Sequence, residues 1–110
     1  MVKGVRNWRE LPTGSGMVQL TDLLGRRWAL RVVWELRRGA LTFRALQEAC
    51  GQISPSVLQS RLHELVSVGV IEKIPRLGYR LSTSGELLYR TLEPVAEWAE
   101  ARDRSWHARK

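Results

Sequence analysis

Only two residues, Gln52 and Ile53, separate the end of one helical segment from the start of the next. Gly51 closes a stretch running from Phe43 to Cys50, and Ser54-Pro55 opens the stretch that follows. Serine followed by proline is a strong helix start. The hydroxyl caps an orphan backbone N–H, and proline at the first helical position has none to satisfy. Two short helices joined this tightly cannot bury their apolar stripes alone, so the segments on either side must complete the core.

Those segments have the right patterns. Between Trp28 and Arg38, the residues Ala29, Val32, Val33 and Leu36 fall at i, i+3, i+4 and i+7, one apolar face of a helix. Arg37 and Arg38 occupy its last turn, where cations favour the helix dipole, and Gly39 follows. Thr42 is placed to cap the first helix of the tight pair, with Phe43, Leu46 and Cys50 inward. The second helix of the pair runs from Pro55 to about Val68 on a stripe of Leu58, Leu62, Leu65 and Val66, and Gly69 stops it. Two β-favouring runs, Val70 to Ile74 and Tyr79 to Ser82, flank Pro75-Arg76-Leu77-Gly78, which predicts a tight hairpin. Thr83-Ser84-Gly85-Glu86 has capping-box spacing and opens a last helix with the stripe Leu88, Leu92, Val95 and Ala99. Pro94 is expected to kink or restart it. A short helix, Met17 to Leu24, comes first. The expected fold is mainly α with a small β-hairpin wing, a winged helix-turn-helix spanning residues 17–110 behind a flexible basic arm at 1–16.

The 110 residues carry 18 Lys and Arg against 11 Asp and Glu, a net charge of +7. Such a balance suits a polyanionic partner, either nucleic acid or an anionic membrane. The excess is +5 over residues 1–41, +2 over 42–84 and zero over 85–110, so the last segment is not the electrostatic footprint. Cys50 is the single cysteine, which rules out an intrachain disulfide and fits a reducing compartment. Met1 to Leu20 has no apolar core of a signal peptide, and no run approaches 18 apolar residues. A cytoplasmic protein with no membrane partner is expected. Catalysis has no support. His63 and His107 are the only histidines and lie in different elements. There is no nucleophile–base pair, no metal-ligand spacing and no phosphate-cradling glycine loop, so neither a metal nor a cofactor is expected.

Gly25-Arg26-Arg27-Trp28, then Gly39, Phe43, Leu46 and Ile53-Ser54-Pro55, then Leu58, Arg61-Leu62 and Leu65, occur in order and spacing similar to the HxlR family of bacterial regulators, relatives of the MarR type. Gly69, Tyr79, Leu81, Ser82 and Gly85 continue the resemblance, which covers roughly residues 18–98. It implies a dimeric transcription factor, commonly a repressor, whose first and last helices pack across the two-fold axis. It also implies that the second helix of the pair enters the major groove of double-stranded DNA while the wing lies on the backbone or minor groove. The chain departs from the family's Arg-Phe-x-Glu-Leu at Thr42-Phe43-Arg44-Ala45-Leu46, where Arg44 is the basic residue on offer. Its wing is short, and it lacks the N-terminal cysteine through which several members sense oxidants.

On this basis Ser56, Gln59 and Ser60 are candidate base contacts, because the helical period turns them, with His63, away from the leucines. Gln59 can read adenine bidentately, and Ser54 with the first-turn N–H groups suits a phosphate. Arg61 suits either a phosphate or a carboxylate such as Glu64. Arg76 at the hairpin tip and Arg80 on the outer strand face are candidate backbone contacts. Arg26 and Arg27 precede a helix, where the dipole does not favour them, so they meet phosphate or pair with Asp22. Lys3, Arg6 and Arg9 of the arm either track DNA or stay unstructured. Trp28, Trp34 and Trp98 are candidates for core, dimer interface or an aromatic pocket for a small-molecule effector. Cys50 is either a small buried hydrophobe or a redox switch. The rival to DNA reading is a winged helix that docks acidic proteins.

Overall fold

A computed structural model describes residues 16–108. The arm expected at 1–16 falls almost wholly outside the described residues, as do the side chains of Trp106 and His107. Five helices and one hairpin follow in the order α1 (Gly16–Gly25), α2 (Ala29–Glu35, continued by a 3-10 turn at Leu36–Arg38), α3 (Phe43–Ala49), α4 (Pro55–Ser67), β1 (Ile71–Ile74), β2 (Gly78–Leu81) and α5 (Thr83–Ala108).

Local chemistry sets these boundaries. Thr42 Oγ1 accepts from the Ala45 N–H at 3.1 Å and starts α3. Ser54 Oγ accepts from the Val57 N–H at 3.2 Å and starts α4, with Pro55 in the first turn. Between them Gly51 and Gln52 both take left-handed backbone angles, φ 73° and 64°. The Gln52 N–H reaches the Gln47 carbonyl at 3.0 Å, and the Gln47 side chain donates to the Ile53 carbonyl at 2.9 Å. Gln47 therefore closes the two-residue turn from both ends.

The core sits where α2, α3, α4 and the hairpin converge. Ala29, Val32, Val33 and Leu36 are fully buried, as are Leu46, Cys50, Leu58, Leu62 and Leu65. Val66, expected in the α4 stripe, is instead 40% exposed. Eight residues beyond Leu58, it has turned about 80° round the helix and off the buried line. Arg31 ties α2 to the end of α3 by donating to the Ala49 carbonyl at 3.0 Å.

The wing is antiparallel, with Ile71 opposite Leu81 and Ile74 opposite Gly78. Leu41 adds a one-residue rung by exchanging backbone hydrogen bonds with Tyr79 at 2.9 and 2.8 Å. This rung explains Gly78. A Cβ there would lie 2.2 Å from the Leu41 carbonyl oxygen. Gly85 is just as constrained, since a Cβ would meet the Val70 carbonyl oxygen at 1.9 Å.

Helix α5 is capped one residue earlier than its sequence spacing suggests. The Gly85 N–H donates to Ser82 Oγ at 3.0 Å, so Ser82 holds the cap position and Thr83 is already helical. The Ser82 hydroxyl also donates to the carbonyls of Gly69 and Val70, which fastens α5 to the base of the wing. Such a triple use of one hydroxyl outweighs a box built on Thr83. Helix α5 then runs through Pro94 without interruption.

Candidate nucleic-acid interface

Helix α4 separates its two faces cleanly. Leu58, Leu62 and Leu65 are buried, whereas Ser56, Gln59, Ser60 and His63 are exposed and line a shallow depression bounded by Glu64. Ser54 is exposed at the helix start with its hydroxyl engaged in the cap. Its carbonyl accepts from the Leu58 N–H at 3.0 Å and its hydroxyl from the Val57 N–H, which leaves the Ser56 N–H of the first turn to be met by solvent or an anion.

The basic candidates divide into engaged and unengaged groups. Arg61 is largely withdrawn, with 18% of its side chain exposed, and its guanidinium pairs with Glu64. Its Nε is buried without a partner among the described residues. Arg26 lies 3.5 Å from the other Glu64 oxygen and 3.8 Å from Asp22, which links α1, the α1–α2 turn and α4. Arg80 pairs with Glu72 across the hairpin at 3.0 Å. Arg44 projects from α3 into solvent, 3.9 Å from Glu48. Arg76 stands exposed at the wing tip in a left-handed conformation, φ 68°, behind Pro75, and the Leu77 N–H closes the turn onto Ile74 O at 3.1 Å. That backbone angle normally favours glycine or asparagine, so an arginine there carries roughly 1–2 kcal/mol of conformational cost.

Trp28, Trp34 and Trp98 do not converge on one pocket. Trp34 meets Tyr89 of α5 with ring centroids 5.8 Å apart, and Arg37 lies 4.2 Å over the Trp34 ring while donating to its carbonyl at 3.0 Å. This pair lines an apolar groove of about 350 Å³ between α2 and α5, together with Leu30, Leu92 and Val95. Trp28 lies elsewhere, half-buried in the α1–α2 turn with φ 78° and Arg27 over its ring. Trp98 is 62% exposed on α5, with Arg102 at 5.6 Å. The sequence alone did not reveal Tyr89 and the Arg26–Glu64 link, because each depends on a partner far along the chain, nor Gln47, whose bonds to Gln52 and Ile53 depend on the left-handed backbone of the turn.

Cys50 lies in the core. Burial pushes its thiol up, Glu35 adds to the shift and Arg31 partly opposes it. Among the described residues no group of three or more His, Cys, Asp or Glu could hold a metal ion, and no helix is long and apolar enough to cross a membrane.

A capped helix pair joined by two residues, an outward polar face on the second helix and a following antiparallel wing agree with the family that the sequence matches. Residues 23–105 match the HxlR-like helix-turn-helix. The chain belongs to this family. It is 33% identical over 84 residues to an uncharacterized HTH-type transcriptional regulator, YvaP, of Bacillus subtilis strain 168, a match covering 71% of this chain and 78% of YvaP. The quinone-bound YodB of B. subtilis superposes with a TM-score of 0.70 at 28% identity, over 77% of this chain and 94% of YodB. A possible HxlR family factor from Thermoplasma volcanium GSS1 shares the fold alone, with a TM-score of 0.73 at 20% identity over 86% and 87% of the two chains. The HxlR-like chain is thus a winged-helix transcriptional regulator of the helix-turn-helix type, with DNA as its partner, and not an enzyme.

Proposed function

We propose that this HxlR-like protein binds an inverted-repeat operator as a homodimer and represses transcription in the cytoplasm. The observation that carries the reading is the division of α4, with three leucines fully buried and Ser56, Gln59 and Ser60 displayed together on the opposite side. In this reading α4 lies in the major groove with its N-terminal turns toward the bases, Gln59 reads adenine, and Ser56 and Ser60 bond base edges or phosphate. Arg76 meets the backbone beside the groove. Arg44 and the Ser56 amide beside the Ser54 cap add phosphate contacts, while Arg61 and Arg80 contribute once freed from Glu64 and Glu72.

The apolar groove between α2 and α5 supports the homodimer. Val95 is 58% exposed and Trp98 is open, a poor arrangement for a lone chain but a good one for a helix shared across a two-fold axis. Two α4 helices would then enter successive major grooves about one turn, roughly 10 bp, apart. Residues 17–110 make up the winged domain and its dimerisation helices, and residues 1–16 the basic arm. A second reading, an effector-responsive regulator, is favoured by one feature: the groove beside Trp34 and Tyr89 would accept an aromatic ligand, and YodB is quinone-bound.

The test is fluorescence anisotropy against duplexes tiled from the DNA upstream of the protein's own gene, with a scrambled control. Saturable binding to one inverted repeat, at least ~10³-fold tighter than to the scramble at physiological salt, is expected. Gln59→Ala should cost about 1–3 kcal/mol on that repeat and little on the scramble, whereas Arg76→Ala should weaken both and flatten the salt slope by about 1 per protomer. Equal binding to repeat and scramble by the wild type overturns the operator reading.

A further inference from the structure

Four exposed residues share the reading face of α4, and three of them are fixed in charge. The fourth is His63. The helical period sets it within about 20° of Ser56 and roughly 10 Å farther along the axis. The major groove is about 12 Å wide, so a helix with Ser56 at the base edges holds position 63 near the groove's lip, at the phosphates. His63 is exposed, lines the same depression as Ser56, Gln59 and Ser60, and makes no hydrogen bond or ion pair among the described residues.

The neighbouring charges leave it available. Glu64, the one carboxylate bordering the depression, is held by Arg61 on its own helix and by Arg26, itself near Asp22 of α1. The elements packed against α4 carry pairs closed among themselves. These are Arg31 with Glu35 on α2, Arg44 with Glu48 on α3, and Glu72 with Arg80 on the wing, where Lys73 stands beside them.

We infer that His63 is a further DNA contact, one that grips a phosphate at the groove edge when its imidazole is protonated and so makes DNA binding depend on pH. Imidazole is the side chain whose charge changes between pH 5 and 8. A phosphate contact favours the cationic form, so binding takes up a proton and tightens as pH falls through that range. The inference rests on the DNA-reading role of α4.

Anisotropy titrations of the full chain at pH 5.5, 6.5, 7.5 and 8.0 test it, with the upstream duplexes and the scramble at two salt concentrations. The wild type should bind about tenfold tighter per protomer at pH 5.5 than at pH 8.0. Its salt slope should steepen by about 0.9 per protomer over the same interval. His63→Gln should lose this dependence with an unchanged melting temperature. His63→Arg should hold the low-pH affinity at every pH. His107 is retained in all three proteins and cannot account for a difference between them. Binding by the wild type that is flat with pH, or a pH dependence that survives in His63→Gln, overturns the inference and leaves the DNA-binding reading intact. No binding at any pH and low salt overturns that reading and the inference with it.

Discussion

Helices α4 and α5 start alike and end differently. Each opens on a serine hydroxyl that accepts from the N–H three residues on, at 3.2 Å from Val57 in one and 3.0 Å from Gly85 in the other. Helix α4 then buries its leucine stripe completely within the chain and shows solvent a polar face. Helix α5 has an equally regular stripe in Leu88, Leu92, Val95 and Ala99, yet only the first two are even half-buried. Beyond Ala96 every described α5 side chain is exposed, since the helix has run past the body that could cover it. One helix has its apolar partners in its own chain and turns its polar side to solvent; the other leaves much of its apolar side in solvent as well.

The largest effect that separates the two lies in the stability of the single chain. Leu62→Ala removes a fully buried side chain from a closed core and should cost about 2–5 kcal/mol in urea unfolding. Leu92→Ala removes a half-buried one from the open groove, and should cost about 1 kcal/mol or less at protein concentrations low enough to keep the chain monomeric. Similar losses for the two would erase the contrast.

The next effect runs the other way. Val95→Glu places a charge on the α5 stripe where the single chain leaves it 58% exposed. Stability of the isolated chain should change by about 0.5 kcal/mol or less. The proposed homodimer should come apart, with the sedimentation coefficient falling to that of a monomer. Affinity for an inverted repeat should drop by about 10² as the two reading heads lose their linkage. A variant that still sediments as a dimer would place the interface elsewhere than on this face.

Much of this contrast can be read along the chain, and the unread part has a common cause. Thr42, Ser54-Pro55 and the stripes at 29–36 and 58–65 are local patterns, decided by neighbours within two helical turns, and the fold keeps them. The cap on α5 moves from Thr83 to Ser82 because Ser82 also bonds Gly69 and Val70, contacts made thirteen and twelve residues away. The Leu41–Tyr79 rung joins residues too far apart for any period to report. On α4, the outward turn of Ser56, Gln59 and Ser60 follows from helical geometry. The withdrawal of Arg61 onto Glu64 is a choice among partners that spacing alone leaves open. Val66 marks the limit of periodicity itself, since a stripe does not say how wide its cover is.

The smallest effect concerns Cys50, which closes α3 inside the buried half of the molecule. Burial pushes its thiol up from the ordinary value of 9.0, Glu35 adds to the shift and Arg31 offsets part of it. The folded chain therefore holds this proton more firmly than the unfolded chain does. Its contribution to stability is complete below the unfolded thiol's range and is lost as pH rises through about 9 toward the folded value. Between pH 7.5 and 9.5 the urea midpoint of the wild type should fall more than that of Cys50→Ala. Tyr89 also ionises late, because its phenol donates to Glu93 at 2.8 Å, but it is present in both proteins and cancels in the difference. Reaction with a thiol reagent at pH 8 should be far slower than in the urea-unfolded chain. Folded and unfolded protein reacting at the same rate would mean that the end of α3 is as open to solvent as the α5 stripe, and the contrast between a closed half and an open one would fail at the residue where it is easiest to measure.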